Sequence, residues 1–150
     1  MSAGRLRRPR GRGLRRYARR LSGPLLDRID LHVHVERVRA GELAGAGGGE
    51  PSAAVRARVC AARAVQQARS GMENARLPAA GLAGACRPTA AAQRTLTAAV
   101  DRLGLTARGF HRALRVARTV ADLGGDERVD DVHVREALAL RHAGATGGLE

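Results

Sequence analysis

Arginine is the residue type with which this sequence can address a phosphate. Arg28 follows the turn signal Ser22-Gly23-Pro24 and Asp27 and stands directly before an alternating apolar–polar stretch. A guanidinium held there is permanently charged and can fork onto phosphate oxygens. Arg108, Arg112 and Arg115 follow Thr106 at spacings of four and three, so on a helix they share one face. Arg118 falls near the side of Arg108. A helix capped at Thr106 would also aim its first backbone N–H groups at an anion. The same pattern suits a solvated helix face, and the residue types alone leave both readings open.

Other chemistries find less support. The chain has 27 arginines and no lysine, so the phosphate-cradling pattern GxxxxGK[ST] cannot occur. Neither GxGxxG nor HExxH is present. His32 and His34 are two apart on the polar side of the alternating stretch, which suits solvent or, less readily, a metal. His111, His133 and His142 fit surface or cap roles. Two cysteines, Cys60 and Cys86, make neither a disulfide framework nor a zinc site, and both read as small buried hydrophobes.

Composition limits what can position these groups. The 150 residues are 44% hydrophobic but only 1% aromatic, so a core must be built from Ala, Leu and Val, which favours close helix packing. The length suits one modest domain or part of a larger one. No run of 18 apolar residues predicts a membrane span, no apolar stretch behind the first charges reads as a secretory signal, and the cysteine usage suits a reducing, cytoplasmic setting. The formal net charge is +13, and nine of the arginines lie in residues 1–20, which contain no acid. That segment is expected to be a disordered basic tail, serving either as an electrostatic arm for nucleic acid or simply as a solvated end.

The elements follow from periodicity. Ile29, Leu31, Val33 and Val35 alternate with polar residues across 29–36, the period of a half-buried strand. One strand is not stable alone and needs a sheet from outside this chain. Glycines 41, 45, 47, 48 and 49 mark a flexible linker over 41–51. Ser52 predicts the start of a helix ending at Ser70 before Gly71, with Val55, Val59, Ala62 and Val65 inward. A short helix is expected over 78–85. Thr89 predicts a third helix, with Leu96, Val100 and Leu103 inward and Gly104 as its stop. Thr106 predicts a fourth, with Phe110, Leu114, Ala117 and Ala121 inward, ending at Gly124-Gly125. Asp130 or Asp131 predicts a fifth, through Val134, Leu138 and Arg141, followed by a loose tail from residue 143. The fold class is therefore mainly α: a small helical bundle over 52–142, preceded by one orphan β-strand and a disordered Arg-rich N-terminus.

Several long strings carry a resemblance. Tyr17 to Leu31 (YARRLSGPLLDRIDL), the helix Val55 to Gln67, Asn74-Ala75-Arg76-Leu77, Leu103 to Leu123 (LGLTARGFHRALRVARTVADL) and the closing helix with His133 and Arg141 resemble the magnesium-chelatase-like AAA+ ATPases of the ComM/YifB branch. The resemblance covers about residues 17–142. It implies the end of an AAA+ core over 21–40 and a C-terminal helical lid, in a chain without the family's P-loop, Walker B acids and sensor Asn. It implies that Arg28 is an arginine finger, that Arg108 is the lid arginine, and that Arg112 and Arg115 are weaker nucleotide-binding candidates. It further implies ATP and Mg²⁺ as cofactors of the complete member, other subunits of a hexameric ring as partners, and DNA processing linked to competence. A small basic helical nucleic-acid-binding module is the alternative, and a true metal-chelatase subunit a weaker third reading.

Overall fold

The computed structural model describes residues 28–33, 35–38, 41 and 49–146. The basic segment 1–20, Asp27, His34 and most of the glycine-rich linker lie outside the described residues. Five helices form the body: α1 (Ser52–Ser70), α2 (Leu82–Cys86), α3 (Ala90–Leu103), α4 (Ala107–Gly124) and α5 (Asp131–Thr146). Two 3₁₀ turns, Asn74–Arg76 and Ala79–Gly81, link α1 to α2.

The caps explain where the helices begin and end. Thr89 Oγ1 accepts from Ala92 N at 3.2 Å and Thr106 Oγ1 from Gly109 N at 3.0 Å, each satisfying an amide that the first helical turn leaves unpaired. Asp130 Oδ1 accepts from Asp131 N, while His133 Nδ1 reaches back to accept from Asp130 N, the reach-back half of a capping box. Gly71, Gly104 and Gly125 end α1, α3 and α4 at φ of 66°, 61° and 82°, in the left-handed region that glycine enters without steric cost. α1 departs from expectation at its start: Pro51, with no side-chain cap, stands where Ser52 was expected, and Ser52 is the first helical residue. α5 also continues to Thr146, about a turn past its expected end.

The core is one cluster built around α4. Ala113, Leu114, Ala117 and Ala121 meet Leu77, Leu82, Cys86, Ala92, Leu96, Val129, Val134 and Ala137. Small residues on α4 let α1, α2 and α5 approach closely, as the aromatic-poor composition requires. Phe110 and Leu138 pack at its edge, whereas Leu103 is exposed.

Two expectations are corrected here. α1 is seated only through its C-terminal half, where Ala62 and Gln66 are buried. Val55, Val59 and Val65, expected inward, are exposed: nothing among the described residues covers residues 52–61, and Val65, in the seated half, borders an open cleft beside Arg69. The orphan strand is the second. Among the described residues there is no β-strand, since no partner strand supplies the ladder hydrogen bonds. The segment 29–33 instead runs without regular structure against the end of α5, where His32 N donates to Leu140 O at 2.7 Å. Leu31, Val33 and Val35 are 47%, 69% and 84% exposed, and His32, placed on the solvent side by the alternation, is the residue that turns inward.

Candidate functional site

The arginine face of α4 begins two residues after Thr106 and divides into two kinds of residue. Arg108, in the first turn of α4, is exposed and has no ion-pair partner among the described residues. Arg112 is largely covered, and its Nη1 lies 3.0 Å from Asp30 Oδ1. Arg115 donates from Nε and Nη2 to Leu77 O at 3.1 and 2.7 Å, stitching α4 to the turn that leads into α2. Arg118, expected near the side of Arg108, is instead fully buried. It donates from Nε to Asp122 Oδ1 at 3.1 Å, from Nη1 to Glu127 O at 2.8 Å, and from Nη2 to Asp126 O.

Arg28 sits in a turn at the surface, exposed and, like Arg108, without an ion-pair partner among the described residues. Asp30, two residues on, is the partner of Arg112, which lies one helical turn after Arg108. The pair Asp30–Arg112 thus joins the segment that carries Arg28 to the helix that carries Arg108. Arg141 of α5 reinforces the arrangement: its Nη1 donates to Ile29 O at 3.5 Å, and its Nη2 lies 3.4 Å from where a Cβ on Gly109 would be. One buried guanidinium therefore has the residue after Arg28 on one side and the residue after Arg108 on the other. Beside the Asp30–Arg112 pair lies a groove of about 350 Å³, walled by Leu31, Val116, Val120 and Leu140, with both arginines (Arg112, Arg115) and both acids (Asp30, Glu136) among its polar residues.

A polar network missed at the sequence level underlies this face. Asp122 accepts from Arg69 Nη1 and Nη2 and from Asn74 Nδ2, each at 2.7 Å, as well as from Arg118. Burial pushes its carboxyl upward, but hydrogen bonds from Arg69 and Asn74, with the charges of Arg118 and Arg69, outweigh that and hold it below the usual aspartate value. Asn74 Nδ2 also donates to Thr119 Oγ1, and the Asn74 backbone N–H donates to Gln66 Oε1. The available signal was the opposite-charge pair Arg118–Asp122 at i,i+4, in line with Leu114 on the apolar stripe.

The remaining candidates are unreactive or structural. Cys86 is fully buried, and burial pushes its thiol up to about 11, so it is not a nucleophile near neutral pH. Cys60, expected inside, is exposed on the outer part of α1. Among the described residues no group of three His, Cys, Asp or Glu side chains could hold a metal. His133 serves the α5 cap and lies 3.1 Å from Asp126 Oδ2 through Nε2.

Comparison with known proteins places this geometry. The sequence profile described as "Magnesium chelatase, subunit ChlI C-terminal" matches residues 49–141. The chain belongs to the magnesium chelatase ChlI family. A second ChlI profile matches residues 6–43, so the two matches are separated by the glycine-rich stretch expected to be a linker. The competence protein ComM of Haemophilus influenzae is 41% identical over 127 residues, covering 84% of this chain and 25% of ComM. A Mycobacterium tuberculosis protein is 44% identical over 135 residues, 87% of this chain and 27% of its own length. YifB of Salmonella typhimurium is 39% identical over 127 residues, 84% of this chain and 25% of YifB. The chain thus spans about a quarter of the length of these ChlI-family relatives. Among the described residues no helix is long and apolar enough to cross a membrane.

Proposed function

We propose that this chain is the C-terminal portion of a ComM/YifB-type AAA+ ATPase, the end of the core plus the lid. In this reading it works in the cytoplasm within a hexameric ring that processes DNA. Arg28 acts as arginine finger and Arg108 as lid arginine on ATP held by a P-loop in other polypeptide. The carrying observation is that Arg28 and Arg108 are exposed without ion-pair partners among the described residues, with Arg141 lying against their chain neighbours Ile29 and Gly109, while Arg112 and Arg115 are engaged by Asp30 and by Leu77 O. Membership of the ChlI family supports it.

The residues present fit the phosphate half of a magnesium nucleotide and not its metal. Two guanidiniums suit phosphate oxygens, whereas Asp30 is already paired with Arg112 and this sequence has no P-loop Ser/Thr. ATP with Mg²⁺ supplies the transferable phosphoryl group. The chain contributes positive charge: Arg28 faces the negative charge that develops on the phosphoryl oxygens, and Arg108, at the helix N-terminus, orients the same phosphates.

The test joins residues 17–142 to the upstream part of a ChlI-family relative that carries GxxxxGK[ST]. The chain alone is expected to show no ATP turnover. In the chimera, Arg28→Ala is expected to lower turnover by roughly 10³-fold, the scale of an arginine finger, and Arg108→Ala to weaken nucleotide binding and turnover together. Unchanged turnover in both variants refutes the reading. The net charge of +13, with nine arginines in residues 1–20, favours one second reading, a basic module that binds nucleic acid on its own.

A further inference from the structure

We infer that Arg112, His32 and Arg141 form a clasp that holds the Arg28 turn on the helical bundle, and that Arg112 positions Arg28 beside Arg108 instead of touching phosphate. The inference rests on the nucleotide reading above and assigns Arg112 a part in it.

The contacts converge on three of the four residues 29–32. Ile29 O accepts from Arg141 Nη1 at 3.5 Å. Asp30 Oδ1 lies 3.0 Å from Arg112 Nη1. His32 is used twice: its amide donates to Leu140 O at 2.7 Å, and its ring Nδ1 donates to Arg141 O at 2.7 Å. All these partners lie in α4 and α5, far along the sequence, so no local preference of the chain brings them together.

Apolar burial does not provide the attachment. Leu31 is the only one of the segment's alternating aliphatic residues that lines the groove, and it is itself half exposed, while Val33 and Val35 point into solvent. With so little area removed from water, the hydrophobic contribution is small, and the polar contacts decide whether the turn stays in place. Arg112 is suited to this. Its side chain is 22% exposed, against 53% for Asp30, so the bundle holds the guanidinium while the carboxylate comes to it. Arg141 links the two arginine positions directly, because its guanidinium lies against both Ile29 and Gly109.

The experiment is amide hydrogen exchange on the full chain, read at His32 with α4 and α5 amides as the control for folding. Arg112→Gln and Asp30→Asn are each expected to speed exchange at His32 about fivefold, the scale of a partly exposed ion pair. The reversed pair, Asp30→Arg with Arg112→Asp, is expected to return it to within about twofold of the parent. Arg108→Ala is expected to leave it unchanged. Unaltered exchange in Asp30→Asn, or a reversed pair as fast as the single variants, overturns the clasp. Asp30→Asn decides the matter even if Arg112→Gln disturbs the bundle, because Asp30 lies outside it. In the ATPase chimera, the reversed pair is expected to restore turnover lost in Arg112→Gln. Persistent loss there makes Arg112 a phosphate ligand and overturns the positioning role. No nucleotide enters the exchange measurement, so failure of Arg28→Ala to affect turnover would sink the nucleotide reading separately from the clasp.

Discussion

Asp122→Ala tests the most heavily bonded point of the bundle. The carboxylate side chain has no exposed surface, accepts four hydrogen bonds and faces two arginines. Its removal leaves Arg118, also fully buried, with two carbonyl acceptors and no counter-charge. Breaking a buried pair from one side costs about 3–5 kcal/mol. The two carbonyls that remain to Arg118, and the partial exposure of Arg69, place the expectation near the lower end, about 3 kcal/mol. For a bundle of this size that is a fall in Tm of about 12–24 °C, measured by far-UV circular dichroism at pH 7 and checked by the urea midpoint. A loss below about 1 kcal/mol would show that the network is not a stabilising hub. The pH dependence provides an independent check. Because the folded carboxyl titrates below its unfolded value, its contribution is fully present above about pH 4 and is lost as pH falls through the lower folded value. Asp122→Asn should flatten the acid limb of the stability curve by that share.

Further outcomes follow from other parts of the structure. At pH 8, Ellman's reagent should titrate one thiol per native chain, at Cys60, and a second only in denaturant, because Cys86 is buried with its pKa raised to about 11. Gly125→Ala should cost about 1 kcal/mol in urea titration; nothing lies within 4 Å of the added methyl, so the cost comes from the φ of 82° alone. If the basic segment is what binds DNA, deleting residues 1–20 should abolish most of the salt-dependent affinity in a fluorescence anisotropy titration. Affinity that survives would place the binding surface on the helices.

Signals carried within a few residues were legible in the sequence. Thr89 and Thr106 cap where their spacing from the apolar stripe predicts, and the three terminating glycines fall where the helices stop, because caps are local geometry. Contacts made across long stretches were not. Asp122 meets Arg69 and Asn74 from 53 and 48 positions away, and periodicity alone does not show that Arg118 faces inward with the alanines of α4. Val55, Val59 and Val65 lie at helical spacing, yet spacing cannot show how much of a helix has a neighbour. The alternation over 29–36 is present in the residue types, but a strand is a property of two segments, and among the described residues no second one pairs with it. The common helical face of Arg108, Arg112 and Arg115 was readable from their spacing, whereas the engagement of Arg112 by Asp30 and of Arg115 by Leu77 O needed the fold.

The partial seating of α1 has a mechanical consequence. At 1.5 Å per residue its 19 residues extend about 28 Å, and its attachments, Ala62, Gln66 and Arg69, all lie in the half nearest Gly71. The outer half is a cantilever with its fulcrum at the Asp122 network. A tilt of about 10° at that fulcrum swings the Glu50 end through roughly 5 Å, so a slight rotation where α1 meets α4 is magnified at the outer end of the helix.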